Sequence, residues 1–408
     1  MRKRLTVLAA MTLGLAAGPA LAQYAFQGTI AVPASPDNSV GGKFATYDIS
    51  FFSPTTQLDY VADRSNASVD IFSAATNTFV GRIGGTGHLF TGQQASNDVS
   101  GPDGVVLGDG KVWAGNGNST LLSFNIPSNT AAFPPIATGP ASANRVDELA
   151  FNPANHQILA ANNAAAQPFV SYVDTNTGTV TNQVVFNGAN GTPNATDGIE
   201  QPAWDPVTGR FYVSVPQVNG AGPGGVAQLD TSGHVTNFFD FATMGLGSGG
   251  VCGPTGLAAG MGGALMVGCG NGGQSIILHP GSGPATGSIT IISGVGGEDE
   301  VWFDPVTKRY FLSARNNPGG PVLGIVDAVT ETLLQKLATT PGDHSVAVDP
   351  ISGKVFVPFG AVAGNTICPD GCIGVFAPVV PEPGTYALML SGLVGVIGIA
   401  ARRRKRKA

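Results

Sequence analysis

Charge is scarce in this 408-residue chain: Asp, Glu, Lys and Arg together make up 11% of it. The apolar fraction is 43%, so the low charge does not signal a disordered chain, which is poor in apolar residues and rich in charge. Tryptophan (3), cysteine (4) and histidine (5) are also few. The cysteines do not fall in the paired C-x2-C spacing that a four-cysteine zinc site prefers. There is no C-x-x-C-H haem site, P-loop or dinucleotide fingerprint. Nor is there a G-x-S-x-G elbow in a strand-to-helix setting, so a Ser-His-Asp hydrolase has no support. Between the two ends no amphipathic helical stretch occurs. What is plentiful is glycine, 59 residues of it, as expected of a chain with many turns.

The ends read as addresses. Arg2, Lys3 and Arg4 precede an apolar run over 5–17, and Ala20-Leu21-Ala22 is an A-x-A cleavage site before Gln23. Residues 1–22 are therefore expected to be a removed signal peptide. At the other end Pro381-Glu382-Pro383-Gly384 leads into an uncharged apolar run, 386–401, then Arg402-Arg403-Arg404-Lys405-Arg406-Lys407. The run is short against the ~20 residues of a spanning helix. Gly392, Gly395 and Gly398 give it a small, packable helix face. The basic end would stay cytoplasmic and the body lie across the membrane. A plain C-terminal anchor is one reading of 380–408. The Pro-Glu-Pro motif, glycine-spotted apolar segment and Arg-rich terminus in that order also resemble a PEP-CTERM sorting signal. That resemblance implies processing by exosortase, a membrane protease-transpeptidase, and delivery to the envelope surface or outside. It implies no activity for the body.

The end segments hold nine of the 20 basic residues and one of the 26 acids. Residues 23–380 keep 11 basic against 25 acidic groups, a formal charge of −14. Nucleic acid is not an expected partner of so acidic a body, and cations are. In an exported protein the four cysteines read as disulfides. Three pairings are open; local ones, Cys252 with Cys269 and Cys368 with Cys372, are favoured because each pair brackets a turn.

The body repeats. Ala203-Trp204-Asp205-Pro206-Val207-Thr208-Gly209-Arg210-Phe211-Tyr212 returns as residues 301–312 around Asp304-Pro305, as 346–357 around Asp349-Pro350, and as 149–159 around Asn152-Pro153. Each reads strand, Asx-Pro turn, strand: the Asx side chain opens the turn and Pro sets the next φ. Weaker copies occupy 49–62, 104–114 and 256–267. Second hairpins follow at 69–80, 172–180, 228–235 and 325–333. About seven units at roughly 45–55 residues, each of two hairpins, predict a single all-β domain over 23–379. It is expected to be a seven-bladed β-propeller of four-stranded antiparallel blades, flanked by the signal peptide and the transmembrane sorting helix. Residues 24–32 could complete the last blade near 374–377. The Val-Asp-x-x-Thr-Gly and Asp-Pro-x-Thr-Gly-Arg-Phe-Tyr-Val hairpins resemble YVTN and NHL type propellers, and more loosely the gluconolactonase-like superfamily.

Acids cluster before the inner strands: Asp103, Asp147-Glu148, Glu200, Glu298-Asp299-Glu300 and Asp343-His344, with Thr255 at the matching place in the fifth unit. Equal offsets would aim them at one axis, where carboxylates repel unless neutralised. A hard cation such as Ca2+ would relieve this. The predicted divalent site comprises Asp103, Glu148, Glu200, Glu300 and His344. The gluconolactonase-like resemblance implies a metal that activates a lactone or phosphoester, and an Asn ligand, for which Asn162, Asn163, Asn316 and Asn317 are candidates. The competing reading is that these acids cap loops or face water. Asp205, Asp304 and Asp349 are expected to form turns, Trp113, Trp204 and Trp302 to pack the core, and His156, His234 and His279 to be solvated. Two functions follow. One is a non-catalytic envelope or matrix protein whose propeller binds exopolysaccharide or other surface proteins. The other is a divalent-metal-dependent hydrolase or lyase.

Overall fold

The computed structural model describes residues 23–246, 252–281, 283 and 286–379. The predicted signal peptide with Ala22, the motif residues Pro381, Glu382 and Pro383, the apolar helix over 386–401 and the basic tail lie outside them. Seven four-stranded antiparallel sheets make the predicted propeller. Blades 1 to 6 occupy residues 50–84, 105–137, 149–185, 202–240, 254–293 and 301–338. Blade 7 takes its three inner strands from 347–378 and its outermost strand, Tyr24–Ala31, from the other end of the chain. That strand pairs with Cys372–Pro378, so the ring is closed by the segment expected to close it.

The Asx-Pro turns are built as the side-chain chemistry requires. Asp205 accepts from the N–H groups of Val207 (2.9 Å) and Thr208 (3.1 Å) and from the Thr208 hydroxyl (2.7 Å). Asp304, Asp349 and Asn152 repeat the arrangement. Middle strands are buried on both faces and outer strands on one. In blade 3, Gln157–Asn162 and Phe169–Asp174 are almost wholly buried while Thr179–Val185 alternates. The reason is that blades pack face to face, and each interface is a local core. Leu159, Val170 and Tyr172 of blade 3 meet Phe211, Val213 and Ala227 of blade 4; Phe356, Ile373 and Val375 of blade 7 meet Phe52, Val61 and Phe72 of blade 1. Each such large side chain contributes ~1.5–3 kcal/mol when fully buried.

The disulfides are Cys252–Cys269 in blade 5 and Cys368–Cys372 in blade 7, the local pairing. Among the described residues no helix exceeds five residues, and none is long and apolar enough to cross a membrane. Trp113 is fully buried; Trp204 and Trp302 are partly buried, pack against the blade 3–blade 4 and blade 7–blade 1 cores respectively, and also border the central channel.

Candidate functional site

The turn that closes each first hairpin provides a common origin. Five residues before Ser53, Gly108, Asn152, Asp205, Gly260, Asp304 and Asp349 stand Asp48, Asp103, Asp147, Glu200, Thr255, Asp299 and His344. In blades 1 to 4 the N–H of this residue bonds the matching carbonyl near the end of the second strand, of Ala62, Gly115, Ala161 and Ser214; in blade 5 the pairing shifts register at Thr255. Asp103, Glu200 and His344 of the predicted set thus belong to the ring. Glu148 and Glu300 lie one residue later, where the pleat turns the side chain another way; the ring members of their blades are Asp147 and Asp299. Asp48 completes the ring in blade 1 and was not foreseen.

Most of the ring lines a polar cavity of about 220 Å3 at the channel mouth, with Asp48, Asp147, Glu148, Glu200, Asp299 and His344 among its walls. Three arginines line it as well: Arg64, Arg145 and Arg315. Arg64 Nε donates to Asp103 Oδ1 (2.7 Å), and its Nη2 lies 2.5 Å from the same oxygen and bonds Asp48 Oδ2. Arg145 Nη2 is 2.7 Å from Asp147 Oδ2, with Nη1 3.7 Å from Asp48 and 3.8 Å from Asp103. Asn163 accepts from Arg145 Nε (3.1 Å) and donates to Asp147. Arg315 pairs with Asp299 at 2.9 Å. His344 Nδ1 donates to the Gly342 carbonyl (2.7 Å), its Nε2 is 3.5 Å from Asp48, and its ring stacks on Tyr47 at 4.5 Å.

Electrostatics divide these acids. Burial pushes Asp48 up, but Arg64, His344 and Arg145 outweigh it and hold it below the usual range. Burial carries Asp103 up to about 7 against Arg64 and Arg145. Burial, with Asp299 beside it, pushes Glu200 up to about 8. Glu148 and Glu300 are raised well above the usual range, first by burial.

The residues one step after the ring have another role. Gln201 Oε1 accepts from the Leu257 N–H of the next blade (2.6 Å), Glu300 Oε2 from Val346 N–H (3.1 Å) and the Ser345 hydroxyl, and Ser345 Oγ from Ser50 N–H (2.8 Å). Each side chain caps an innermost strand of the following blade. Glu148 is the exception. The position in blade 4 equivalent to Leu257, Val346 and Ser50 is Pro202, which has no N–H, and Glu148 Oε2 is buried without a hydrogen-bond partner.

The predicted ligand set therefore does not meet at one point. Asp103 is committed to Arg64 and Glu300 to blade 7, leaving Glu148, Glu200 and His344 at the cavity. Among the described residues the one trio offering ligand atoms within 4.8 Å of each other is Asp48, Asp103 and Asp147. Guanidinium groups already neutralise that trio, so these residues do not fit a resident Ca2+. Of the candidate asparagines, Asn163 takes part in the cluster. His156, His234 and His279 lie on the surface beside Asp109, Asp230 and Glu331.

Below the mouth a second cavity of about 400 Å3 follows the channel along the innermost strands of blades 1 to 6. Its walls are mainly apolar and aromatic, including Phe51, Phe151, Trp204, Trp302 and Phe303; Glu148, Gln201 and Glu300 are the polar groups. Glu148 borders both cavities.

Residues 379–405 match the model of the PEP-CTERM protein-sorting motif. The chain carries a PEP-CTERM sorting signal. PEP-CTERM proteins are exported and transiently membrane-anchored in Gram-negative-type bacteria, with exosortase as processing partner. No curated protein matches the chain.

Proposed function

We propose that this PEP-CTERM protein is a non-catalytic binding platform of the cell envelope or extracellular matrix, its propeller displayed on the surface by the sorting signal. The observation that carries this is the composition of the channel mouth. Arg64 and Arg145 lie among Asp48, Asp103 and Asp147, so the charges a catalytic metal would balance are balanced by protein groups. A buried cluster of this kind holds blades in register and leaves no open coordination position. The resemblance to YVTN and NHL type propellers supports a recognition role, and exopolysaccharide or another surface protein is the partner class that the sorting route supplies.

The second reading, a metal-dependent hydrolase or lyase, draws on the acids outside the ion pairs, Glu148 and Glu200. One experiment separates the two: metal content of the purified protein, with its melting temperature recorded with and without EDTA. The binding platform is apo and indifferent to EDTA and Ca2+, and is retained on exopolysaccharide in pull-downs. A stoichiometric divalent ion whose removal lowers Tm, together with turnover of a lactone or phosphoester, would replace the platform with the enzyme.

A further inference from the structure

The channel beneath the mouth combines three features. Its walls are aromatic, and Trp204 and Trp302 present partly exposed faces to it. Its polar end carries two carboxyl groups, Glu148 and Glu300, and no basic side chain among the described residues lines it. One of these, Glu148, is 3% exposed and has an oxygen without a partner, because Pro202 withholds the N–H that the equivalent positions supply.

We propose that the central channel is a binding site for a small organic cation with an aromatic or alkyl body, its ammonium group seated on Glu148. Aromatic faces attract a cation through the ring quadrupole, most strongly once water is excluded. A buried carboxylate without a donor gains from an N–H that neutralises it. Apolar walls with few convergent polar groups suit a ligand that is greasy along its length and charged at one end. This cavity lies beneath the ion-paired mouth and shares Glu148 with it, and the proposal does not depend on the partner bound at the surface.

Burial, and after it the charges of Asp147, Glu200, Asp299 and Glu300, raise the Glu148 carboxyl well above its usual range.

The test is calorimetric titration of the full chain with phenethylammonium and with 2-phenylethanol, its neutral counterpart. The ammonium is expected to bind at least tenfold more tightly, and Glu148→Gln to erase that preference while leaving the alcohol's affinity in place, which also shows that the variant is folded. Trp204→Leu should weaken both. Equal binding of the two probes, a preference that survives Glu148→Gln, or no binding of either probe to the wild-type chain would each overturn the proposal.

Discussion

Replacing Arg64 with methionine tests the reading of the channel mouth most directly. The guanidinium bonds Asp103, Asp48 and the Tyr47 carbonyl (3.3 Å), and the side chain is 5% exposed. Methionine keeps much of the packing and removes the charge. Two buried carboxyl groups then lose their nearest cation, and breaking a buried pair by deleting one partner costs ~3–5 kcal/mol. A body of about 350 residues at ~2.1 cal/mol/K each unfolds with an entropy of roughly 0.7 kcal/mol/K, so Tm should fall by roughly 4–7 °C. The second half of the prediction concerns metal. Without Arg64, the trio Asp48, Asp103 and Asp147 has oxygens within 4.8 Å of one another and less positive charge among them. Arg64→Met should therefore acquire a Ca2+-dependent Tm that the wild-type protein lacks. At a Ca2+ concentration a hundredfold above Kd the recovery is about 2.7 kcal/mol. The assay is differential scanning calorimetry of both proteins with EDTA and with Ca2+. A loss below about 1 kcal/mol, or a wild-type protein that already responds to Ca2+, would refute the argument that arginine stands where a metal would.

Stability should fall as pH rises from 5 to 8. Burial sets Asp59 at about 7, Glu298 at about 7 and Glu200 at about 8, so the folded state holds protons that the unfolded chain has lost, and the slope is up to about 1.4 kcal/mol per pH unit for each. Asp59→Asn should come closest to wild-type stability near pH 3, below the unfolded carboxyl's range, and exceed it increasingly up to pH 8; an unchanged pH profile would contradict this. Asp205→Ala deletes three turn hydrogen bonds and should cost ~1–2 kcal/mol, read as a Tm drop of roughly 2 °C, with little effect on ligand binding. Deleting Tyr24–Ala31 exposes the Cys372–Pro378 strand as a sheet edge, and size-exclusion chromatography should show oligomers that the intact chain does not form.

The fold was legible because its punctuation is local. An Asx-Pro turn carries its own hydrogen-bond acceptor and its own φ, so Asp205, Asp304 and Asp349 announce hairpins without help from distant residues. Blades 1, 2 and 5 replace the Asx-Pro pair with Ser53-Pro54, Gly108-Asp109 and Gly260, yet keep the spacing. The site was legible only in some of its residues. Choosing Glu148 over Asp147 and Glu300 over Asp299 is a slip of one residue, and on a pleated strand one residue changes the face. A strict count of five back from each turn residue finds the acids of the ring, Asp48 among them. The arginines were harder. Arg64 and Arg315 each stand just beyond the second strand of their first hairpin, and Arg145 comes from the loop before blade 3. No inner-strand offset reports them, although each pairs with an acid of its own blade, Arg64 with Asp48, Arg145 with Asp147 and Arg315 with Asp299, before Arg64 reaches on to Asp103.

The latch of blade 7 has a mechanical consequence. The strand that leads toward the sorting signal, Cys372–Pro378, is not at the rim of its sheet: Tyr24–Ala31 holds one side and Val355–Phe359 the other. A tug along the chain from the anchored end cannot peel a single row of hydrogen bonds. It has to break the rows on both sides at once, and one of them belongs to Tyr24–Ala31, the first described strand of the chain. The point of attachment is thereby reinforced by the opposite end of the same polypeptide.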